Sequence, residues 1–318
     1  MIPIFRFVPV SFSWIAIHPQ PKGVIQFIGG AFFGTFPTIF YRYFLQVLFE
    51  AGYTIIALPF RFSFRHWEIA IDLLREQEVL RHELVKIAYK LDYEDEIYQE
   101  HKNYYWVGHS LGCKYIALIE FLSSLQWPQI VQSCISRDIE RQIEAIISTV
   151  GTGNTSIIDQ PSLLIAPDIG DTESAIPVPT VAKFFDRVGW GVQPSRNQTQ
   201  CLIDRSQLFN LTALISFDRD TLAGSKNDEF KAPLIREKSD VLWFIAQLTR
   251  RNKREESSIL HQELLGKHLE PLGIRVGEYL VDLNPFDKFI MPLKNRQLEP
   301  YVLNFIDELK KRSRSKGS

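Results

Sequence analysis

Tyr104-Tyr105-Trp106-Val107-Gly108-His109-Ser110-Leu111-Gly112-Cys113-Lys114 joins a short apolar run to a stretch in which Leu111, Tyr115, Leu118, Ile119 and Leu122 recur at helical spacing. A buried strand therefore runs into a helix through Gly-x-Ser-x-Gly. Such a turn is sharp. Gly108 and Gly112 leave room for it and for close helix packing, Ser110 projects at the carboxyl end of the strand, and the Leu111 N–H faces the place where an oxyanion would develop. The bland alternative, a turn that carries glycine and serine for shape alone, lacks the strand before and the apolar helix face after.

Further strands are expected at Ser13–Ile17, Gly23–Ile28, Tyr53–Leu58, Ser162–Ala166, Leu211–Ser216 and Ser258–Leu264, each short, apolar and bounded by turn signals. Between them, helical spacing covers Pro37–Ala51 and Trp67–Leu91, where Ile69, Leu73, Leu80, Leu84 and Ile87 form one apolar face. Ser239–Leu248 and a last helix from Leu298, with Val302, Phe305, Ile306 and Leu309, complete the set. Strands alternating with helices predict a mostly parallel central sheet covered on both faces. The chain reads as one domain over 1–318. Residues 151–199 are less regular and are expected to contribute a cap, with Phe184, Phe185 and Trp190 over the site.

A serine hydroxyl needs a base to take its proton and a carboxylate to orient that base. In this strand–turn–helix setting the chain order is serine, acid, histidine. Leu211–Asp220 is a strand ending in two carboxylates, Asp218 and Asp220, of which Asp220 is the expected acid; the other reading makes one or both turn caps or partners of Arg219. Only His261 and His268 follow. His261 lies inside a strand, whereas His268 follows the Gly266 turn and can come back towards Ser110. His109 adjoins Ser110, but the turn fixes its direction, so it is expected to pack or bond below the nucleophile. Gly29-Gly30-Ala31-Phe32-Phe33-Gly34 follows an early strand, where a second oxyanion donor arises: the Ala31 N–H, or that of Gly30 if the loop is shifted by one residue. Phe32, Phe33 and Phe36 then supply an apolar entrance, with His109 and Phe217 as further lining candidates.

The combination of GGAFFG, GHSLGCK, SFDRDT and GKHLEP resembles the cyanobacterial and plastid α/β-hydrolase-like family known as domain of unknown function 1350, over roughly residues 5 to 310. The resemblance implies an α/β-hydrolase fold, a nucleophile at Ser110, a base at His268 and a photosynthetic setting, without a substrate. Phe217 departs from the small glycine common before the acidic turn in hydrolases generally, which puts the orientation of Asp220 at issue.

The rest of the sequence excludes other classes. Lys plus Arg number 36 against 37 for Asp plus Glu, so no global field draws the chain to nucleic acid. The glycine-rich loop lacks the Gly-Lys-Ser/Thr of a phosphate loop and the Gly-x-Gly-x-x-Gly of a dinucleotide fingerprint, and Asp168, Asp171 and Glu173 read as a solvated cap segment rather than a metal site. No cofactor and no metal are expected. Val24–Tyr41 is uncharged but interrupted by Gly29, Gly30, Gly34 and Pro37, so no transmembrane segment is expected. The start lacks the pattern of an export signal, and Cys113, Cys134 and Cys201 form no framework spacing, so a reducing, cytoplasmic setting is expected. The expected function is hydrolysis of a carboxylic ester, with thioester or amide behind it, on a small acyl substrate that is apolar in part. The alternative is a catalytically inactive binding or scaffold protein that retains the fold.

Overall fold

A computed structural model describes residues 3–135, 141, 143–144, 156–170, 191–206, 209, 211–254, 258–284 and 290–316. Its strands in chain order are β1 (Val8–Val10), β2 (Ser13–Ala16), β3 (Val24–Ile28), β4 (Thr54–Ala57), β5 (Tyr104–His109), β6 (Ser162–Ile165), β7 (Thr212–Phe217) and β8 (Leu260–Leu264). They form one eight-stranded sheet in the order β1-β2-β4-β3-β5-β6-β7-β8. β1 pairs antiparallel with β2, and β2 with β4; every later pairing in the sheet is parallel.

The pleat sends alternate side chains to opposite faces. Tyr104 and Trp106 of β5 pack with the helices His66–Lys90 and Leu111–Leu122 and with Phe244 and Leu248 of Asp240–Arg254. Tyr105 and Val107 pack on the other face with the helices Arg42–Glu50 and Leu298–Lys316. β3, β4, β5, β6 and β7 are buried along their whole length, which is why they read as continuous apolar runs.

Several features differ from the sequence reading. The helix expected over Pro37–Ala51 is divided at Tyr41 into Pro37–Phe40 and Arg42–Glu50. Its ladder is interrupted because the Phe40 carbonyl accepts from Gly273 N–H while Tyr43 N–H donates to the Gly273 carbonyl. The β1 strand, not foreseen, is fixed from outside: buried Glu76 accepts from the Ser11 and Ser13 hydroxyls and from Phe12 N–H. A second sheet of β9 (Ile274–Val276), β10 (Tyr279–Val281) and β11 (Ile290–Pro292), in the order β11-β10-β9, was also not foreseen. The 151–199 interval is not one insertion. It contains core strand β6 and the start of a helix, Arg196–Arg205; residues 171–190, including Phe184, Phe185 and Trp190, lie outside the described residues, as do Asp171 and Glu173.

Cys134 and Cys201 are joined by a disulfide across a sequence separation of 67 residues. Spacing along the chain gave no reason to pair them; packing of the helix Trp127–Cys134 against Arg196–Arg205 does. No helix among the described residues is long and apolar enough to cross a membrane.

Candidate active site

In the parallel part of the sheet the order reverses between β3 and β5, with β4 beyond one and β6 beyond the other. The crevice at the carboxyl ends of two such strands is where α/β sheets bind ligands. Here it is lined by the Gly29–Gly34 loop after β3 and by Ser110 after β5.

Ser110 has φ 55° and ψ −124°, a left-handed conformation that costs a non-glycine residue about 1–3 kcal/mol. The surroundings enforce it. Ser110 N–H donates to the Ile165 carbonyl at the end of β6, the Ser110 carbonyl accepts from Cys113 N–H at 3.0 Å and from Asp168 N–H at 3.3 Å, and a Cβ at Gly112 would lie 2.2 Å from the Ile28 carbonyl oxygen. Only glycine fits at 112, so the helix can seat directly against β3.

Three side chains converge. His268 Nε2 is 2.7 Å from Ser110 Oγ, and His268 Nδ1 is 2.8 Å from Asp220 Oδ2. All three residues are buried. The other oxygen of Asp220 accepts from Leu222 N–H at 2.8 Å and Ala223 N–H at 3.0 Å, so the carboxylate is held on both sides. Burial pulls the His268 pKa down, but the charge and hydrogen bond of Asp220, with a further contribution from Asp168, leave it raised above the ordinary 6.5.

Asp218 does something else. Its Oδ1 accepts from Gly266 N–H at 2.8 Å and lies 3.6 Å from Arg219 Nε, pinning the turn that precedes His268. His261 is bound to Ser216 Oγ at 2.9 Å within β8. Phe217 does not displace the acid. It is fully buried at the end of β7, and a Cβ at Gly266 would sit 3.1 Å from its ring, so the missing side chain at 266 accommodates the bulk at 217. Phe217 lines a different cavity, of about 250 Å³, together with Arg219, Leu264 and Leu265; neither Ser110 nor His268 contributes to its walls.

The loop after β3 approaches the nucleophile closely: a Cβ on Gly30 would lie 3.4 Å from Ser110 Oγ. Its two candidate amides differ. Gly30 N–H is committed to the Tyr41 hydroxyl at 2.7 Å and is not available as an oxyanion donor. The Gly30 carbonyl is held by Gly34 N–H at 2.6 Å, and in a planar trans peptide the following Ala31 N–H points the opposite way. Leu111 opens its helix, so its N–H has no carbonyl one turn earlier to reach.

The expected lining also sorts itself. Phe32 is 61% and Phe36 57% exposed, Phe32 stacking on Phe62 at 4.8 Å. Phe33 instead turns inward against Phe40. His109 is fully buried and bonded at both ring nitrogens, so it supports the site from below rather than lining it.

Reading by motif overlooked Asp168, whose backbone touches Ser110, and Tyr41, whose hydroxyl reaches Gly30. Lys114 was quoted with the turn, but its role was not foreseen: fully buried one turn after Ser110, it donates to the Pro194 carbonyl at 2.7 Å and the Gly170 carbonyl at 3.3 Å. No group of His, Cys, Asp and Glu among the described residues could hold a metal.

Esterase B from Lactobacillus rhamnosis, in a structure with a C4-C4 SN3 tributyrin phosphonate, superposes with a TM-score of 0.52 at 13% identity, over 94% of this chain and 79% of the esterase. Another structure of the same esterase gives 0.50 at 14% identity, over 96% and 83%. The chain has the α/β-hydrolase fold. Residues 7–130 match the model of a family described as "Protein of unknown function (DUF1350)". That span holds the Gly30–Ala31 loop and Ser110 and stops before Asp220 and His268, so it is shorter than the resemblance read from the sequence. No curated protein matches the sequence.

Proposed function

We propose that this protein is a serine hydrolase that cleaves a carboxylic ester through an acyl-Ser110 intermediate. The observation that carries the reading is the unbroken run Ser110 Oγ, His268 Nε2, His268 Nδ1, Asp220 Oδ2, with contacts of 2.7 and 2.8 Å. His268 takes the Ser110 proton as Oγ bonds to the substrate carbonyl carbon. The N–H groups of Ala31 and Leu111 stabilise the oxyanion. When the tetrahedral intermediate collapses, the ester C–O bond breaks and His268 passes its proton to the leaving alkoxide. Water, deprotonated by His268, then attacks the acyl-enzyme; the acid leaves and the proton returns to Ser110.

Asp220 holds His268 with Nδ1 protonated and Nε2 free to accept, and it stabilises the imidazolium during each transfer. A vestigial site in a binding protein has no need to keep the carboxylate braced by two amides and the imidazole aimed at Oγ. The exposed Phe32 and Phe36 on the loop and helix after β3 favour an acyl group that is apolar in part. Small acyl esters as substrates complete the reading, whereas the Cys134–Cys201 disulfide does not fit the reducing, cytoplasmic setting expected from the cysteine spacing.

The test is covalent labelling with an alkyl phosphonate ester, scored by intact mass, beside turnover of short and medium acyl p-nitrophenyl esters. Labelling at Ser110 that disappears in a folded Ser110→Ala variant is expected. A native protein that neither labels nor hydrolyses any acyl ester refutes the proposal.

A further inference from the structure

His109 and Tyr41 are fully buried beneath the site, and the direction of every hydrogen bond between them can be assigned. The His268 carbonyl can only accept, so His109 Nε2, 2.7 Å away, carries the proton and donates. Nδ1 of the neutral ring is then an acceptor, and the Tyr41 hydroxyl, 2.8 Å away, donates to it. The Tyr41 oxygen is left to accept from Gly30 N–H at 2.7 Å. Burial, reinforced by the nearby charge of His268, lowers the His109 pKa to about 3, so the ring stays neutral and the directions hold across the working pH range.

Both ends of this chain land on the main chain of a loop that bears on Ser110. One end is Gly30, whose neighbour Ala31 supplies the second amide; the other is the carbonyl of His268 itself. His109 sits between them and is covalently next to Ser110. We propose that Tyr41 and His109 are positioning residues, which lock the loop after β3 and the loop after β8 to one another across the nucleophile, so that the oxyanion amide and the base keep a common register with Ser110.

A buried tyrosine and histidine that merely filled space would be served by ring packing, which Tyr41 already has against Phe27 at 4.7 Å. Instead the polar atoms of both rings are spent on backbone groups of the two loops. The role deepens the serine-hydrolase reading, and it predicts a loss in the chemical step rather than in substrate binding.

Three variants separate the links. Tyr41→Phe keeps the ring and removes the bonds to Gly30 and His109. His109→Gln retains an amide N–H near the Nε2 position for the His268 carbonyl but loses the acceptor for Tyr41, whereas His109→Asn retains the acceptor and loses the donor. In Tyr41→Phe, kcat for a p-nitrophenyl ester is expected to fall about 10- to 100-fold with KM within about twofold, the scale set by a misplaced catalytic group. His109→Asn is expected to be worse than His109→Gln, because it releases the base.

NMR of the uniformly ¹⁵N-labelled full chain gives a readout that needs no turnover. The Gly30 amide and the His268 imidazole resonances should both move in Tyr41→Phe, and the His268 ring should move in His109→Gln as well, which loses the same link to Tyr41, and further in His109→Asn, which also releases the His268 carbonyl. A folded Tyr41→Phe protein in which His268 keeps its native resonances refutes the coupling, whatever the activity. Absence of labelling at Ser110 in the native protein would refute the hydrolase reading instead, and the NMR comparison would still decide whether the two loops are coupled.

Discussion

Replacing Asp220 by asparagine is the most informative single change, because the structure dictates how the new side chain must sit. Asp220 Oδ1 accepts from Leu222 N–H and Ala223 N–H, at 2.8 and 3.0 Å, while Oδ2 faces His268 Nδ1 at 2.8 Å. An asparagine amide has one acceptor and one donor end. The two backbone donors will claim its oxygen, leaving the NH₂ aimed at Nδ1. His268 must then present a lone pair there and carry its proton on Nε2, pointing at Ser110 Oγ. A base in that tautomer cannot accept the serine proton. In a serine protease the equivalent change costs on the order of 10⁴ in kcat, or about 5 kcal/mol of barrier, and a similar loss is expected here. The acid limb of the pH profile adds a second signature. In the native protein kcat/KM should fall on acidification through a pKa above 6.5, because Asp220 outweighs burial at His268. In the variant that limb should move to lower pH. The stability sign also follows: the raised His268 pKa contributes stability that is fully present below pH 6.5 and is lost as pH rises through the folded value, so the variant should lose more stability at acidic than at alkaline pH. Ester turnover and phosphonate labelling rates against pH, with thermal melts on the same samples, give both readings. A folded Asp220→Asn protein with near-native turnover would refute the assignment of the acid.

Asp218→Asn should be much milder, because an amide oxygen can still accept from Gly266 N–H; turnover within about tenfold of native is expected, measured beside Asp220→Asn. Glu120 is buried and accepts from Phe209 N–H at 2.6 Å, and burial lifts its pKa to about 7 against the opposing pull of that bond and of Arg251. Its contribution is fully present below pH 4.5 and is lost as pH rises through about 7, a difference of about 3 kcal/mol, so Glu120→Gln should raise Tm at pH 8 and change little at pH 4. Reduction of Cys134–Cys201 should lower stability by up to roughly 4 kcal/mol, the entropy of closing a loop of that length, read as the urea midpoint with and without dithiothreitol. An unchanged midpoint would mean that the bridge contributes nothing to folding.

The strand–turn–helix unit at Ser110 was legible because its determinants are local: an apolar strand, two glycines and an apolar helix face lie within Tyr104–Leu122. The base could be reached by elimination, since two histidines follow the acids and one sits inside a strand. Choosing between Asp218 and Asp220 needed coordinates, because both follow the same strand and differ in whether the carboxylate faces Gly266 or His268. Tyr41 was hidden for another reason. It stands in a segment that reads as one helix, and only the bonds from Gly273 divide that helix. The contact of the Asp168 backbone N–H with the Ser110 carbonyl was hidden because the two are neighbours in space, not in sequence. β9, β10 and β11 are each three residues long, too short for a period-2 pattern to register.

The separation along the chain between the parts of the site has a consequence for biosynthesis. Ser110 and His268 are 158 residues apart, and Asp220 and His268 are 48 apart. A growing chain that has completed β5 and its helix already owns the serine, but no base exists until β8 has been made and has docked beside β7. Contacts of such long range form only after the loop-closure entropy between them has been overcome, so they belong to the late stages of folding. On the proposed mechanism the ribosome-bound chain is thus chemically silent, and competence to react with an acyl ester would arrive as the C-terminal third falls into place. A phosphonate that reacts at Ser110 is therefore a reporter of completed assembly, blind to every partly folded species.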